Sequence, residues 1–345
     1  MTLPTRTTLI HGDALDLGAY VPAGSADLAY LDPPFAVGKS FRARAASTGA
    51  SGDLAYEDRW PSLGAYLDWL SLRLVVVRAL LSTRGTLWLH LDHRAVHEAK
   101  ALCDHLFGRA SFIGEVIWLP GNGTKTRRGP GVSHQTLLLY SASDAFIWND
   151  RDATLRAPFA QTSLAMHFTK TDDDGRVYRD RTIGKKTYRY YADEGRALGS
   201  VWGDCPAMAA NTPLRKEGTG YPTQKPLKLL DRIIRASSLP SSLVLDPFCG
   251  SGTTLHAASV LGRTAVGCDI GELAVATTSR RLKAAGIAFD LKAGEPSSSG
   301  LRSESARGAQ LRATPPARRA PVPKAPRSDR VFSGDDSREE EDTPT

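Results

Sequence analysis

The run from Leu243 to Thr254, Leu-Val-Leu-Asp-Pro-Phe-Cys-Gly-Ser-Gly-Thr-Thr, restricts the fold more than any other part of the chain. An apolar run closes on an acid, two glycines follow one residue apart, and a helix-compatible stretch begins. That pattern predicts strand, tight turn, helix. Glycine lets the backbone come close to a ligand, and a helix N-terminus offers free N–H groups to it. Leu255 stands where a third glycine would complete a dinucleotide fingerprint, which argues against a pyrophosphate cofactor. Asp269 ends the next apolar run, 23 residues after Asp246, where a carboxylate can accept ribose hydroxyls. Taken alone, these residues also make an ordinary turn with a surface aspartate.

Around this unit, apolar runs alternate with amphipathic stretches, as in βαβ folds. Strands are expected at Ala26 to Leu31, Gly85 to Leu91, Phe112 to Trp118, Thr136 to Tyr140, Leu243 to Leu245 and Ala265 to Cys268. Helices are expected at Leu63 to Leu81, Ala95 to Leu106, Thr253 to Leu261 and Glu272 to Ala285. The fold class that follows is α/β, a Rossmann-like, mostly parallel sheet with helices on both faces. From Gly121 to Lys216 the alternation weakens, and Gly, Lys, Arg and Tyr dominate. Asp174-Gly175 marks a hairpin turn there. That segment reads as an insertion, and the stretch from about Ala293, poor in large apolar residues, as a disordered tail.

A second motif, Asp32-Pro33-Pro34-Phe35, directly follows the Ala26 to Leu31 run. Two prolines stiffen the turn and have no N–H, so nearby carbonyls are not tied up locally. A carboxylate and the Pro33 carbonyl could together accept both hydrogens of an NH2 group, shifting electron density onto its nitrogen. Phe35 offers a flat face to a planar base. In isolation this too is an ordinary turn after a strand.

The two motifs gain meaning together, with Tyr221-Pro222-Thr223-Gln224-Lys225-Pro226 just upstream of the glycine unit. The set resembles the β group of S-adenosylmethionine-dependent DNA amino-methyltransferases. The resemblance runs from about Thr8 to Leu282. It implies a permuted chain order, with the catalytic half at residues 1–120, a target-recognition region at 121–216 and the cofactor half at 217–292. It implies S-adenosylmethionine as cofactor, with Thr223, Lys225, Asp246, Phe248, Gly250, Gly252 and Asp269 around it, and Asp13 facing its adenine. The alternative for Asp13 is a turn or helix-capping residue. Asp32, Pro33, Pro34 and Phe35 would form the catalytic turn, acting on adenine N6 in double-stranded DNA after base extrusion. Ala36 departs from the pattern, since many adenine-specific members carry Asn there. Cytosine N4 is the nearest alternative target. A ribosomal-RNA guanine-N2 methyltransferase, or a catalytically silent DNA-binding relative, fits less well. A homodimer and a separately encoded restriction endonuclease are the further partners the resemblance suggests.

Charge agrees with a polyanionic substrate. The chain has formal charge +7, and residues 121–216 hold fifteen Lys/Arg against ten Asp/Glu. Basic segments supply much of non-specific nucleic-acid affinity. Tyr188, Tyr190 and Tyr191, beside Lys185, Lys186 and Arg189, could stack on bases or pack the insert. Cys103, Cys205, Cys249 and Cys268 form no CxxC pair, which disfavours zinc and fits a reducing cytoplasm. His93 and His97 lack the glutamate of a zinc-protease helix, and Asp172 to Asp174 read as a solvated turn. No metal and no membrane partner are expected. The expectation is a cytoplasmic, nucleoid-associated enzyme.

Overall fold

The computed structural model describes residues 6–44, 51–124, 126–207 and 217–293. The expected tail beyond Ala293 lies outside them. The chain begins with β1 (Thr7–His11), β2 (Ala26–Leu31) and a hairpin of β3 (Lys39–Arg44) and β4 (Ser51–Asp58). Then come α1 (Leu63–Leu80), β5 (Leu81–Leu91), α2 (Val96–Phe107), β6 (Phe112–Trp118) and β7 (Gln135–Ser141). A run of small elements follows: β8 (Arg156–Ala157), α3 (Gln161–His167), β9 (Lys170–Thr171), β10 (Val177–Ile183), β11 (Lys186–Tyr191), β12 (Arg196–Ala197) and β13 (Val201–Trp202). The last part is α4 (Leu227–Ser237), β14 (Leu243–Asp246), α5 (Thr253–Val260), β15 (Thr264–Asp269), α6 (Glu272–Ala284) and β16 (Phe289–Ala293).

Nine strands form one sheet in the order β13-β6-β7-β5-β2-β14-β15-β1-β16. All neighbours are parallel except the two pairs made by β7, which runs against β5 and β6. The α/β expectation is met. Strand β2 shows why these residues sit where they do. All six are buried, as a central strand covered on both faces requires. Its side chains alternate between two cores: Ala29 and Leu31 join Tyr66, Leu70 and Leu74 of α1, while Leu28 and Tyr30 join Leu229 and Ile233 of α4. Among the described residues, no helix is long and apolar enough to cross a membrane.

Two stretches differ from expectation. Strand β5 starts at Leu81, directly after α1, where Gly85 was expected to open it. Part of residues 121–216 also belongs to the main sheet: β7 lies between β5 and β6, and β13 pairs with β6 at the edge. Trp202 of β13 is 2% exposed, so burial of this large apolar side chain draws that segment back to the core. Within residues 121–216, the strands outside those nine form a β8–β12 pair and a β9–β10–β11 sheet. Asp172 and Gly175 form the turn between β9 and β10: the Asp172 carboxylate accepts the Asp174 and Arg176 N–H groups, and Gly175 has φ +79°.

Candidate active site

Four parallel strands deliver an acid to one end of the sheet. Asp32 follows β2, Asp246 ends β14, Asp269 ends β15, and Asp13 lies just past β1. Adjacent strands in register bring these ends together: Ala29 faces Leu245, and Leu245 faces Val266. All four acids line a single cavity of about 390 Å³. It opens at the carboxyl ends of the strands, the usual ligand position in open α/β sheets. Residues of the β3–β4 hairpin and of the segment Tyr221–Lys225 also line it.

The Asp32 turn meets a cation from the other end of the chain. Lys225 Nζ lies 2.6 Å from Asp32 Oδ1 and 2.5 Å from Oδ2, and Lys225 is 6% exposed. Burial raises the Asp32 pKa, and the Lys225 charge and hydrogen bonds pull against that rise without cancelling it. Lys225, expected on the cofactor side, thus lines the cavity while paired to the Asp32 turn. The Phe35 ring is half-buried. Its centre lies 5.1 Å from Lys225 Nζ and 5.9 Å from the ring of His90. His90 is fully buried beneath it, its Nδ1 2.8 Å from the Tyr30 hydroxyl, and burial holds its pKa well below the usual imidazole value.

The glycine unit is braced by carboxylates. Asp246 Oδ1 accepts the Phe248 N–H at 3.0 Å, and the Thr254 hydroxyl also bonds to it. Both partners are uncharged, so burial pushes the Asp246 pKa up to about 7, with Asp32 and Asp269 adding repulsion. Asp269 accepts the Gly250 N–H on Oδ2 and the Gly271 N–H on Oδ1, both at 2.9 Å. Phe248 borders the cavity and packs on Trp69 at 5.5 Å. Gly252 does not reach the cavity wall. It has φ +74°, and a Cβ there would sit 2.7 Å from Thr278 of α6, so this glycine serves helix packing. Asp13 meets its capping expectation and also lines the cavity. It caps the following 3-10 turn through the Leu15 N–H and pairs with Arg73 Nη2 at 2.6 Å. The backbone of Thr223 is left-handed, φ +57°, and its hydroxyl lies 3.1 Å from that of Tyr56.

Several participants were not apparent in the sequence. Asp58, Tyr56, Arg73 and Arg281 all bear on the cavity or its loops. Arg281, on α6, donates to Ser251 O and Thr253 Oγ1, and burial draws its pKa down to about 10. The alternation of Leu54, Tyr56 and Asp58 is the one local signal for β4. In the outlying sheet the aromatic and basic residues mostly engage one another. Arg176 stacks on Tyr191 at 3.7 Å and pairs with Asp193 and Glu194; Arg189 stacks on Tyr178 at 3.8 Å and pairs with Asp180.

A glycine loop after one strand and an Asp-Pro-Pro-Phe turn after its neighbour share one cavity, an arrangement that suits a nucleoside-containing ligand. The family profile described as DNA methylase (N6/N4 methyltransferases) matches residues 26–280, well over half of the chain. The type II methyltransferase M.EcaI of Enterobacter cloacae is 31% identical over 307 residues, covering 76% of this chain and 65% of its own length. The chain therefore spans slightly less than two thirds of that relative. The DNA adenine methyltransferase YhdJ of Escherichia coli (strain K12) is 28% identical over 82% of this chain and 86% of its own length. Among solved structures, the PvuII cytosine-N4-specific DNA methyltransferase superposes with a TM-score of 0.52 at 16% identity, covering 80% of this chain and 86% of that one, a likeness of fold. The chain belongs to the N6/N4 DNA methylase family, whose methyl donor is S-adenosylmethionine.

Proposed function

We propose that this protein transfers a methyl group from S-adenosylmethionine to the N6 amino group of adenine in double-stranded DNA. The observation that carries the reading is the sharing of one cavity by Asp32 and the Asp246–Gly250 loop. The site's chemistry suits the donor. Asp246 is 2% exposed and held by uncharged partners, so a cationic ligand would relieve it. Gly250, at φ +48°, allows close approach, and Asp269, which lines the cavity, is the proposed acceptor for the ribose hydroxyls. When bound, the donor supplies an electrophilic methyl on a sulfonium centre.

The chain's own groups do the rest. Asp32 accepts a hydrogen of the target amino group, and the Pro33 carbonyl accepts the other. Phe35 supplies a stacking face worth about 1–3 kcal/mol per base, which offsets much of the cost of extrusion. Lys225 neutralises Asp32 while no base is present and yields one oxygen to the incoming amine. As Lys225 withdraws, Asp32 becomes more basic and can take the proton the nitrogen releases. No covalent enzyme intermediate is needed; positioning and electrostatics suffice.

In this reading residues 1–120 are the catalytic half, 217–292 the cofactor half and 121–216 the target-recognition region, in the permuted order. The segment beyond residue 293 is a dispensable tail. The protein acts on the nucleoid, and a homodimer and a separate restriction endonuclease are its proposed partners. The relative named as a DNA adenine methyltransferase, matched over 86% of its length, supports N6 over N4. The test is methyl transfer from labelled S-adenosylmethionine to duplex DNA and to ribosomal RNA, followed by identification of the modified base. N6-methyladenine in DNA is expected. N4-methylcytosine would revise the target, and no methylation of any DNA despite measured cofactor binding would reject the reading.

A further inference from the structure

A carboxylate beside the cavity that accepts three hydrogen bonds has no part in the chemistry above. Asp58, the last residue of β4, is 1% exposed. Its Oδ2 accepts the Phe35 N–H and the Val37 N–H, each at 3.0 Å, and its Oδ1 accepts Trp60 Nε1–H at 2.9 Å. Between the two backbone donors lies Ala36, whose φ of +58° is left-handed. N–H groups flanking a left-handed residue converge into an anion-binding concavity. Here the anion is a side chain of the same protein. A left-handed alanine is strained, and two hydrogen bonds to a carboxylate can offset that strain.

The sequence of the turn makes this anchor important. Pro33 and Pro34 have no N–H, so Phe35 carries the first backbone donor after Asp32. The turn cannot be fastened by its own prolines, and Asp58 fastens it at that donor. The same strand also grips the opposite wall, through Tyr56 and the left-handed Thr223. Among the described residues only Ala36, Thr223 and Ser241 are non-glycine with positive φ, and β4 holds the two beside the cavity. Strained backbone persists where surrounding contacts over-determine it.

We infer that Asp58 is a positioning residue for methyl transfer: its carboxylate fills the concavity around Ala36 and fixes the angle at which Asp32 and Phe35 face the cofactor loop. The inference rests on the methyltransferase reading above. Asp58→Ala frees the turn. In the full chain it should lower kcat on duplex DNA by about 100-fold, the loss expected from a misplacement of about 1 Å. Cofactor affinity by calorimetry should stay within about threefold, since the Asp246–Gly250 loop is held by other groups. Exchange of the Phe35 and Val37 amides, followed by NMR, should accelerate by about tenfold or more.

A conservative pair separates positioning from bulk stability and stands alone if the alanine variant does not fold. Asp58→Asn keeps an oxygen for the two backbone donors but sets its NH2 against Trp60 Nε1–H. Adding Trp60→Phe removes that second donor and should recover kcat by about tenfold over Asp58→Asn alone. Unchanged amide exchange would overturn the anchor. A kcat within about threefold of wild type, or no recovery when Trp60→Phe is added to Asp58→Asn, would overturn the positioning role. If the unaltered protein methylates no DNA, the methyltransferase reading fails and the positioning role falls with it, while the exchange measurement still decides whether Asp58 holds the turn.

Discussion

Cofactor affinity should depend on pH through Asp246. This carboxylate is buried, its partners are uncharged, and its pKa stands at about 7 in the ligand-free protein. A cation bound in the same cavity favours the ionised form, so only the ionised fraction binds well. At pH 6 that fraction is roughly one molecule in eleven, and at pH 7 it is about one in two. Apparent affinity should therefore rise by about fivefold between pH 6 and pH 7, below the range in which an α-amino group titrates. Calorimetry of S-adenosylmethionine binding across that interval measures it, and Asp246→Asn removes the titrating group. Stability moves the other way. The folded pKa lies above the unfolded value near 3.9, so the folded protein holds a proton that the unfolded chain has lost. That stability is present below about pH 4 and lost as pH rises to about 7, up to a ceiling of about 4 kcal/mol. Other groups titrate nearby, so the decisive quantity is the difference in slope between wild type and Asp246→Asn. Equal slopes would refute the assignment of Asp246 as the carboxylate that meets the cofactor's charge.

Asp32→Asn should abolish turnover while leaving cofactor binding within a few-fold, by labelled methyl transfer and calorimetry; parallel loss of both would point to misfolding. Lys225→Met removes the group that lowers the Asp32 pKa, so the acidic limb of the kcat/KM profile should move to higher pH, and an unmoved limb would mean that Asp32 ionisation does not limit the reaction. Asp269→Ala should weaken cofactor binding by about tenfold or more, through lost ribose contacts and a loosened Gly250; unchanged affinity would refute its role. Gly252→Ala places a methyl 2.7 Å from Thr278 at φ +74°, which should cost about 1–3 kcal/mol and lower Tm; an unchanged melting curve would show that α6 gives way.

The strands legible in the sequence are those whose surroundings left one solution. Strand β2 is buried throughout, and apolar but for Asp27, because both its faces are covered, and β14 and β15 are likewise mostly apolar. Apart from β1, whose Leu9 and Ile10 are buried but flanked by Thr8 and His11, the strands that escaped notice lack that pattern. Strand β16 is mostly exposed, β13 has two residues, and β10 and β11 expose much of both faces. Their apolar content is too low to set a period. The direction of β7 was also illegible, because alternation of side chains is the same for parallel and antiparallel neighbours. Hence Gln135–Ser141 was readable as a strand while its place between β5 and β6 was not.

The site divides along similar lines. Asp32, Asp246 and Asp269 announce themselves because each ends an apolar run, and the ends of parallel strands converge by geometry. Asp58 and Lys225 carry no such mark. Asp58 lies 23 positions from the Phe35 N–H it accepts, and an acid at the end of a hairpin strand reads as a solvated group. Lys225 lies 193 positions from Asp32, and only the adjacency of β2 and β14 brings them together. That adjacency has a chemical consequence. Asp32, Asp246 and Asp269 are three of the acids that line the cavity, and Lys225 directly pairs with Asp32. The Asp246 and Asp269 carboxylates lean on hydrogen bonds from uncharged groups. In the proposed reaction a cationic donor would answer the second pair, while the target amine would compete with a lysine for Asp32. Lys225 therefore belongs to the cofactor segment by sequence and to the catalytic turn by contact. A change in the Tyr221–Lys225 segment on cofactor binding would alter how tightly Asp32 is held. The two substrates can thus be coupled through one ion pair, without any movement of the sheet.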